Sequence, residues 1–312
     1  MKIAILNGSP KGNTSVTMQY VLFMQKKFPH LNLTIHHVAQ RINKIVKDEH
    51  YFQLLLGDIR ASDAVIWAFP VYFLLVPSQY KRFIELVFER REEAYFMDKY
   101  AVSLSTSIHV FDHTAHNYIH AVCDDLNMRY VGDYSAKMYD LLRKKERQRL
   151  LLFTENFQAD VKRCAPSVKV YPPLKRSAFT YVSGEAPPSI DTGEKRMLII
   201  TDTGSDDTNL AGMISALKKQ YLQDVEVINL HNIDISGGCL GCISCGYNNN
   251  CVYFGNDGYG DFYEEKVKTA DAIVMAGSMK DRYLSSRWKM FFDRSFYNNH
   301  KPVLKDKQVG FL

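Results

Sequence analysis

Four of the chain's six cysteines fall in one short run, Cys239-Leu-Gly-Cys242-Ile-Ser-Cys245-Gly-Tyr-Asn-Asn-Asn-Cys251. Thiolates two residues apart can turn toward a common centre, and the fourth arrives after a flexible, Asn-rich loop. Iron–sulfur clusters use this compact Cys-x2-Cys-x2-Cys spacing, so Cys239, Cys242, Cys245 and Cys251 are candidate ligands of a [4Fe–4S] cluster and the expected chemistry is redox. Four thiolates can also hold structural zinc, although zinc sites usually join two ligand pairs across a dozen or more residues. Disulfides or free thiols are the third reading. Cys123 and Cys164 stand apart in the sequence and read as ordinary thiols.

A second chemical run is Asn7-Gly8-Ser9-Pro10-Lys11-Gly12-Asn13-Thr14-Ser15, between an apolar segment (residues 3–6) and a helical pattern. Small hydroxyls, backbone N–H groups and a helix N-terminus together can hold a phosphate monoester. The same residues also make a plain helix cap. Neither Gly-x-Gly-x-x-Gly nor Gly-x4-Gly-Lys-Ser/Thr occurs, which disfavours a dinucleotide fold or a nucleotide hydrolase. Further on, residues 64–68 form an apolar run that ends in Phe69-Pro70-Val71-Tyr72-Phe73-Leu74-Leu75-Val76-Pro77. Open parallel sheets bind ligands at the carboxyl ends of their strands, so this stiff aromatic loop could line a flat ring. Its alternative is plain core packing.

His113, His116 and His120 share one helix face, but no carboxylate at matching spacing completes a metal site. They are expected as surface or crevice residues, with Asp112 capping their helix.

These groups need a scaffold. At 312 residues and 46% hydrophobic composition, the chain can form two domains with cores of their own. Residues 196–312 carry 13 Lys and Arg against 14 Asp and Glu, a net −1, which leaves +6 for the first 195 residues. A basic first part suits an anionic cofactor, but no basic stripe interleaved with aromatics argues for nucleic acid. The basic residues between Arg143 and Arg149 read as the solvated face of a helix. The N-terminus shows no leader pattern, and no apolar run approaches the roughly 20 residues of a membrane span. A cytoplasmic protein is expected, in a compartment that keeps thiols reduced.

An internal repeat organises the chain. Ala61-Ser62-Asp63-Ala64-Val65-Ile66 matches Thr269-Ala270-Asp271-Ala272-Ile273-Val274, and the offset of 208 persists through Lys81/Lys289 to Asp98-Lys99/Asp306-Lys307. Nearer the starts, Gly8-Ser9 and Thr14 align with Gly204-Ser205 and Thr208 at offsets of 196 and 194. About fourteen residues therefore enter the second copy, a length the cysteine run accounts for. Apolar runs at residues 3–6, 33–38, 64–68 and 101–104 alternate with helical stretches, the pattern of a buried parallel sheet. The first copy continues through 128–131 and a charged helix at 143–160. The second stops at 309–312, inside its fourth strand. The expected class is α/β, with tandem doubly wound parallel sheets and the second copy truncated. Half of the ten prolines (Pro166, Pro172, Pro173, Pro187 and Pro188) mark a linker at 166–195 between a domain at 1–165 and another at 196–312.

The residues resemble the NADPH-dependent FMN reductases of flavodoxin-like fold and, among them, the iron–sulfur flavoproteins. The phosphate loop of that family is similar to Gly8–Ser15, here a residue or so shorter. Its flavin-contacting Pro-x-Tyr segment resembles Pro70-Val71-Tyr72, and its compact cysteine motif resembles Cys239 to Cys251. The resemblance implies a flavin-dependent oxidoreductase, with NAD(P)H or a ferredoxin-like or small-molecule donor passing electrons through FMN. It implies phosphate binding by Ser9, Asn13, Thr14 and Ser15, with added charge from Lys11. It also implies a ring site at Pro70, Val71, Tyr72, Phe73 and Leu74, and a second edge at Ser105, Thr106 and Ser107, expected just after strand four. Family members keep loop and cysteines in one domain, whereas here they fall in different copies. The second copy sets Asp206-Asp207 where the first has Pro10-Lys11-Gly12-Asn13, and Gly277-Ser278-Met279-Lys280 where it has Phe69-Pro70-Val71-Tyr72. One flavin in the first domain and one cluster in the second is the expectation, and a homo-oligomer is compatible with it. The alternatives are an FMN reductase with zinc or no metal at the cysteines, and a non-catalytic flavin-binding module.

Overall fold

The computed structural model describes residues 1–108, 111–174, 179–185, 188–299 and 301–312. The linker proline Pro187 lies outside them. The chain folds as two units: residues 1–174 with 239–241, and residues 175–238 with 242–312.

In the first unit the elements run β1 (Lys2–Asn7), α1 (Val16–Lys27), β2 (Asn32–His36), α2 (Ile42–Lys47), α3 (Glu49–Arg60), β3 (Ala64–Pro70) and α4 (Ser78–Glu89). They continue as β4 (Tyr100–Ser107), α5 (Asp112–Asp125), β5 (Arg129–Lys137) and α6 (Lys144–Lys162). The five strands pair in parallel in the order β2-β1-β3-β4-β5. This is the flavodoxin-like order, whose ligand crevice opens at the carboxyl ends of β1 and β3. Strand alternation divides the core. Ile3, Ile5, Ile66, Val102 and Leu104 bury against Met18, Val21 and Met24 of α1 and Leu150 and Phe157 of α6. On the opposite face Trp67 packs on Tyr80 and Phe96, and Phe52 meets Phe83. The outer strand β5 carries a bulge, since Ala101 faces Tyr130 and Val102 faces Gly132, with Val131 passed over.

The second unit contains β6 (Met197–Thr201), α7 (Thr208–Lys218), β7 (Glu226–Asn229), α8 (Cys245–Asn248), α9 (Tyr259–Phe262) and β8 (Ala272–Ala276). A small hairpin of β9 (Met279–Lys280) and β10 (Tyr283–Leu284), then α10 (Ser286–Ser295) and β11 (Gln308–Phe311), complete it. Its sheet order, β11-β8-β6-β7, repeats β4-β3-β1-β2 of the first unit. Among the described residues it has no counterpart of β5.

Strand register refines the repeat. Ile3 pairs with Ala64 as Met197 pairs with Ala272, so β1 and β6 correspond at an offset of 194 while β3 and β8 correspond at 208. Gly8 therefore corresponds to Asp202 and Phe69 to Gly277, and the Gly-Ser pairs aligned by sequence lie two positions out of register. Thr34 and Glu226 give 192 for β2 and β7, so sixteen extra residues enter between β7 and β8, against the fourteen expected.

The copies also share their fastenings. Asp63 Oδ2 accepts the Lys2 N–H at 2.8 Å, and Asp271 Oδ2 accepts the Arg196 N–H at 2.8 Å. Lys99 Nζ donates to the Ser62 carbonyl, and Lys307 Nζ to that of Ala270. Each copy also buries an i,i+4 ion pair on the helix after its third strand, Lys81–Glu85 and Lys289–Asp293. Such pairs contribute little net stability, but losing one partner leaves a buried charge uncompensated.

Candidate active site

The phosphate loop begins at Asn7, the buried last residue of β1. Asn7 Oδ1 accepts the Ser9 N–H at 2.9 Å, and its Nδ2 lies 2.9 Å from His37 Nδ1 at the end of β2. Gly8 must be glycine, because a Cβ there would sit 2.8 Å from the Tyr80 ring and 3.0 Å from Phe69. Ser9 Oγ accepts the Lys11 N–H at 3.3 Å, and the Gly12 N–H closes a turn on the Ser9 carbonyl at 3.2 Å. Gly12 takes φ +58°, a left-handed conformation, with the Gln40 amide against it. Thr14 Oγ1 donates to the Lys11 carbonyl. Ser15 is the N-cap of α1, its Oγ accepting the Met18 N–H at 3.1 Å.

The cap and the phosphate cradle are therefore compatible readings. A hydroxyl that accepts one N–H still has its own proton to donate, so Ser9 and Ser15 can serve the fold and an anion together. Asn13 and Thr14 are exposed, and no acidic residue stands in the first turn of α1. Its positive end is thus uncompensated, which suits a phosphate.

Pro70 ends β3, and the Val71 N–H is tied to the Thr106 carbonyl at 2.9 Å. Val71, Tyr72, Phe73 and Leu74 are half-buried, while Leu75 and Val76 are fully enclosed. Leu74 has φ 56°. A left-handed leucine costs about 1–2 kcal/mol and persists because its neighbours are anchored.

Ser105, Thr106 and Ser107 differ from expectation in placement. They lie within β4, not after it. Because side chains alternate along a strand, Ser105 Oγ faces α5 and meets His116 Nε2 at 2.8 Å, while Thr106 Oγ1 meets Thr17 Oγ1 at 2.6 Å on the other face. Only Ser107 stands at the strand's carboxyl end. His116, expected as a surface or crevice residue, is 5% exposed. Its Nδ1 meets Ser103 Oγ at 2.6 Å, and Ser103 Oγ meets the Tyr130 hydroxyl at 2.5 Å. Burial lowers the His116 pKa from its ordinary value against the pull of Asp133 and Asp112. His113 is exposed, and His120 stacks on Tyr130, the ring whose hydroxyl meets Ser103. The N-cap of α5 is Phe111; Asp112 instead accepts a hydrogen bond from Ser135.

In the second unit the corresponding strand end is filled. Asp202, at the position of Gly8, is buried and accepts hydrogen bonds from Trp288 Nε1–H at 2.9 Å and from Ser285 Oγ. Gly277, at the position of Phe69, makes room for that indole, since a Cβ there would sit 2.4 Å from Trp288 Nε1. A buried carboxylate now stands where the first unit has a glycine packed beneath Tyr80. Asp206 and Asp207, expected to repel a phosphate, are partly or fully exposed, and Asp207 Oδ2 accepts the Gly204 N–H at 3.1 Å.

Among the described residues no disulfide joins the cysteines of this run: Cys242 is exposed, Cys245 buried, and Cys239 and Cys251 between. Burial raises the Cys245 pKa, and nearby Cys251 and Cys242 push it further the same way. Among the described residues, no three or more His, Cys, Asp or Glu side chains converge in a group that could hold a metal ion. The donor chemistry suits a cluster, but a closed ligand set is not formed. The inserted segment is held instead by Arg294. Its guanidinium is buried, donates to both Asp257 oxygens at 2.6 and 3.1 Å and to the Gly237 carbonyl at 3.0 Å, and lies over the Tyr253 and Tyr259 rings.

Sequence reasoning missed His37, Gly8's partner Tyr80, and Asp202. The signal for His37 was its position near the carboxyl end of the second apolar run, residues 33–38.

The strand order and the glycine-dependent loop at the carboxyl end of β1 define a flavodoxin-like domain. Residues 1–139 match the sequence profile of the family described as NADPH-dependent FMN reductase. That match covers most of the first unit and less than half of the chain, and the likeness is to a flavin-dependent oxidoreductase domain. None of the curated proteins compared with the chain matches it. Among solved structures, FerB, a flavoenzyme NAD(P)H:(acceptor) oxidoreductase from Paracoccus denitrificans, is similar at 17% identity and a TM-score of 0.43, covering 52% of this chain and 97% of its own. An FMN-dependent NADH-azoreductase from Bacillus anthracis, solved with FMN, is 13% identical with a TM-score of 0.38, covering 53% of this chain and 99% of its own. The apo form of the NADH:FMN oxidoreductase EmoB is 16% identical with a TM-score of 0.43, covering 51% and 89%. No helix among the described residues is long and apolar enough to cross a membrane.

Proposed function

We propose that the chain is an FMN-dependent NAD(P)H oxidoreductase that holds one FMN, in the first unit. The observation that carries this is the contrast at one position: Gly8 lets the loop turn beneath Tyr80 into a Ser15-capped helix with no charge at the strand end, and Asp202 puts a buried carboxylate at its counterpart. The Ser9 and Ser15 hydroxyls, the exposed Asn13 and Thr14 and the first-turn N–H groups of α1 would hold the phosphate, with Lys11 adding charge. Val71 to Leu74, fastened to β4 through Val71 N–H, would flank the ring. FMN supplies the ability to take a hydride and release electrons singly, and the protein supplies position and the exclusion of water. Lys11 and the uncompensated helix end offset the phosphate charge, while Tyr72 and Phe73 present apolar surface to a flat ring.

The test is a titration of the intact chain with FMN, read by flavin fluorescence, followed by NAD(P)H oxidation assays. One FMN per chain and NAD(P)H-dependent turnover are expected. Two flavins per chain, or none, would overturn the reading, and binding without turnover by any donor would favour a non-catalytic module.

A finer reading adds a [4Fe–4S] cluster on the cysteine segment and a ferredoxin-like or small-molecule electron donor. It is supported by the Cys-x2-Cys-x2-Cys spacing. Anaerobic purification with iron and sulfide analysis tests it, and protein free of iron and sulfide would leave FMN chemistry alone.

A further inference from the structure

The turn after β2 is fastened to the phosphate loop at three points. The Ala39 N–H donates to the Asn7 carbonyl at 3.2 Å, the Gln40 amide packs on Gly12, and the His37 ring meets the Asn7 side chain. The third contact fixes a protonation state. Ser9 N–H is a donor, so the Asn7 atom facing it must be oxygen, and the Asn7 NH2 must then face His37. An NH2 group needs an acceptor, so Nδ1 of His37 carries no proton and the ring is the neutral Nε2–H tautomer. Protonation would set N–H against NH2. Asn7, buried and hydrogen-bonded on its other side, could relieve that only by giving up His37 or releasing the Ser9 N–H.

We propose that His37 is a positioning residue for flavin binding: its neutral ring locks Asn7, and through Asn7 the first turn of the phosphate loop, in the form that accepts the FMN phosphate. The proposal rests on the FMN reading above. The charges acting on the ring agree with a neutral state. Burial lowers the His37 pKa from 6.5, and Arg41, the residue before α2, lowers it further. The adjacent His36 ring faces Asp58 of α3 at 3.6 Å, and its own pKa is lowered by burial, with His37 contributing.

The sign follows by linkage. The neutral form is complete above the lowered folded-state pKa, so affinity for FMN is lost as pH falls through it. Reciprocally, bound FMN lowers that pKa further. A ring that paired directly with the phosphate would respond oppositely.

The experiment measures FMN affinity of the full chain between pH 8 and 5 for wild type, His37→Asn and His37→Leu. Asparagine keeps an acceptor at the Nδ1 position but does not titrate. Relative to His37→Asn, which carries the same titration of the FMN phosphate itself, wild-type affinity should fall about tenfold per pH unit below the His37 pKa. His37→Leu should bind weakly at every pH. Equal pH dependence in wild type and His37→Asn, or tight binding by His37→Leu, would overturn the proposal. Nitrogen-15 spectra of the ring without FMN separate the two readings. If wild type binds no FMN even at pH 8, the flavin reading fails, whereas a ring found protonated at Nδ1, or Ser9 amide exchange unchanged in His37→Leu, removes the lock itself.

Discussion

In the first unit Tyr80 leans over Gly8 and Phe69 and donates its hydroxyl proton to the Leu6 carbonyl at 2.7 Å. In the second, Trp288 stands in the place of Tyr80, Gly277 in that of Phe69 and Asp202 in that of Gly8. A benzyl group has been lost, a larger aromatic and a carboxylate gained, and the polar end of the aromatic now satisfies that carboxylate. Total volume is roughly kept, the kind of exchange a packed interior tolerates best. Meanwhile Asp63/Asp271, Lys99/Lys307 and the buried Lys–acid pairs are unchanged in role. The comparison separates what a doubly wound sheet needs in order to close from what it needs in order to bind.

The strongest challenge to that comparison is Trp288→Ala. Removing a buried indole should cost the second unit about 3–5 kcal/mol. Hydrogen exchange by mass spectrometry should show the amides of β6 and β8 opening at least a hundredfold more often, with FMN affinity unchanged. A tenfold loss of FMN affinity would mean that the second copy takes part in flavin binding. Next in size is Gly8→Asp, which gives the first unit the second unit's carboxylate. It should weaken FMN by about 100-fold, roughly 3 kcal/mol, because its Cβ meets Tyr80 and Phe69, so the loop must shift, and a negative charge enters at its base.

A pH experiment sharpens the contrast on the side of the second unit. Burial works to raise the Asp257 pKa, but Arg294 and the Ser236 and Tyr259 N–H groups outweigh it and hold the carboxyl below its ordinary range. A depressed carboxylate stabilises fully above its unfolded value of about 3.9, and that contribution is lost as pH falls through the folded one. The chain has two tryptophans, one in each unit. In a Trp67→Phe background, Trp288 fluorescence should show acid unfolding confined below about pH 4. Asp257→Asn, which strands Arg294, should shift that unfolding toward neutral pH. The smallest effect compares the helix starts: Ser15→Ala should cost about 1 kcal/mol by thermal melting, whereas Asp207→Ala, whose side chain makes no bond to its helix, should stay within about 0.5 kcal/mol.

Much of the scaffold was legible because it is written in local pattern. Apolar runs with helices between them gave a parallel sheet, and the repeat of Asp63 at Asp271 gave a second copy with the same strand order. Register was harder. The sequence alignment matched Gly8-Ser9 to Gly204-Ser205, whereas the strands pair Gly8 with Asp202, since only hydrogen bonding across the sheet fixes which residues stand level. The apolar run ends at Leu104, so Ser105 and Thr106 are expected after β4. They belong to the strand because His116 and Thr17 satisfy their hydroxyls inside the core. His37 escaped notice because its role depends on an asparagine thirty residues away. Cysteine spacing showed the donors but not whether they converge, because convergence depends on how the sixteen-residue insertion is held.

The bulge at Val131 has a consequence for the molecule in a crowded solution. The outer strand of an open sheet is a template on which a stray strand can grow, and a long, flat edge invites polymerisation. By crowding Tyr130 and Val131 opposite one residue of β4, the bulge twists that edge and breaks its even ladder of donors and acceptors. Deleting Val131 would restore an even pairing, and with it a surface prone to fibrous aggregation.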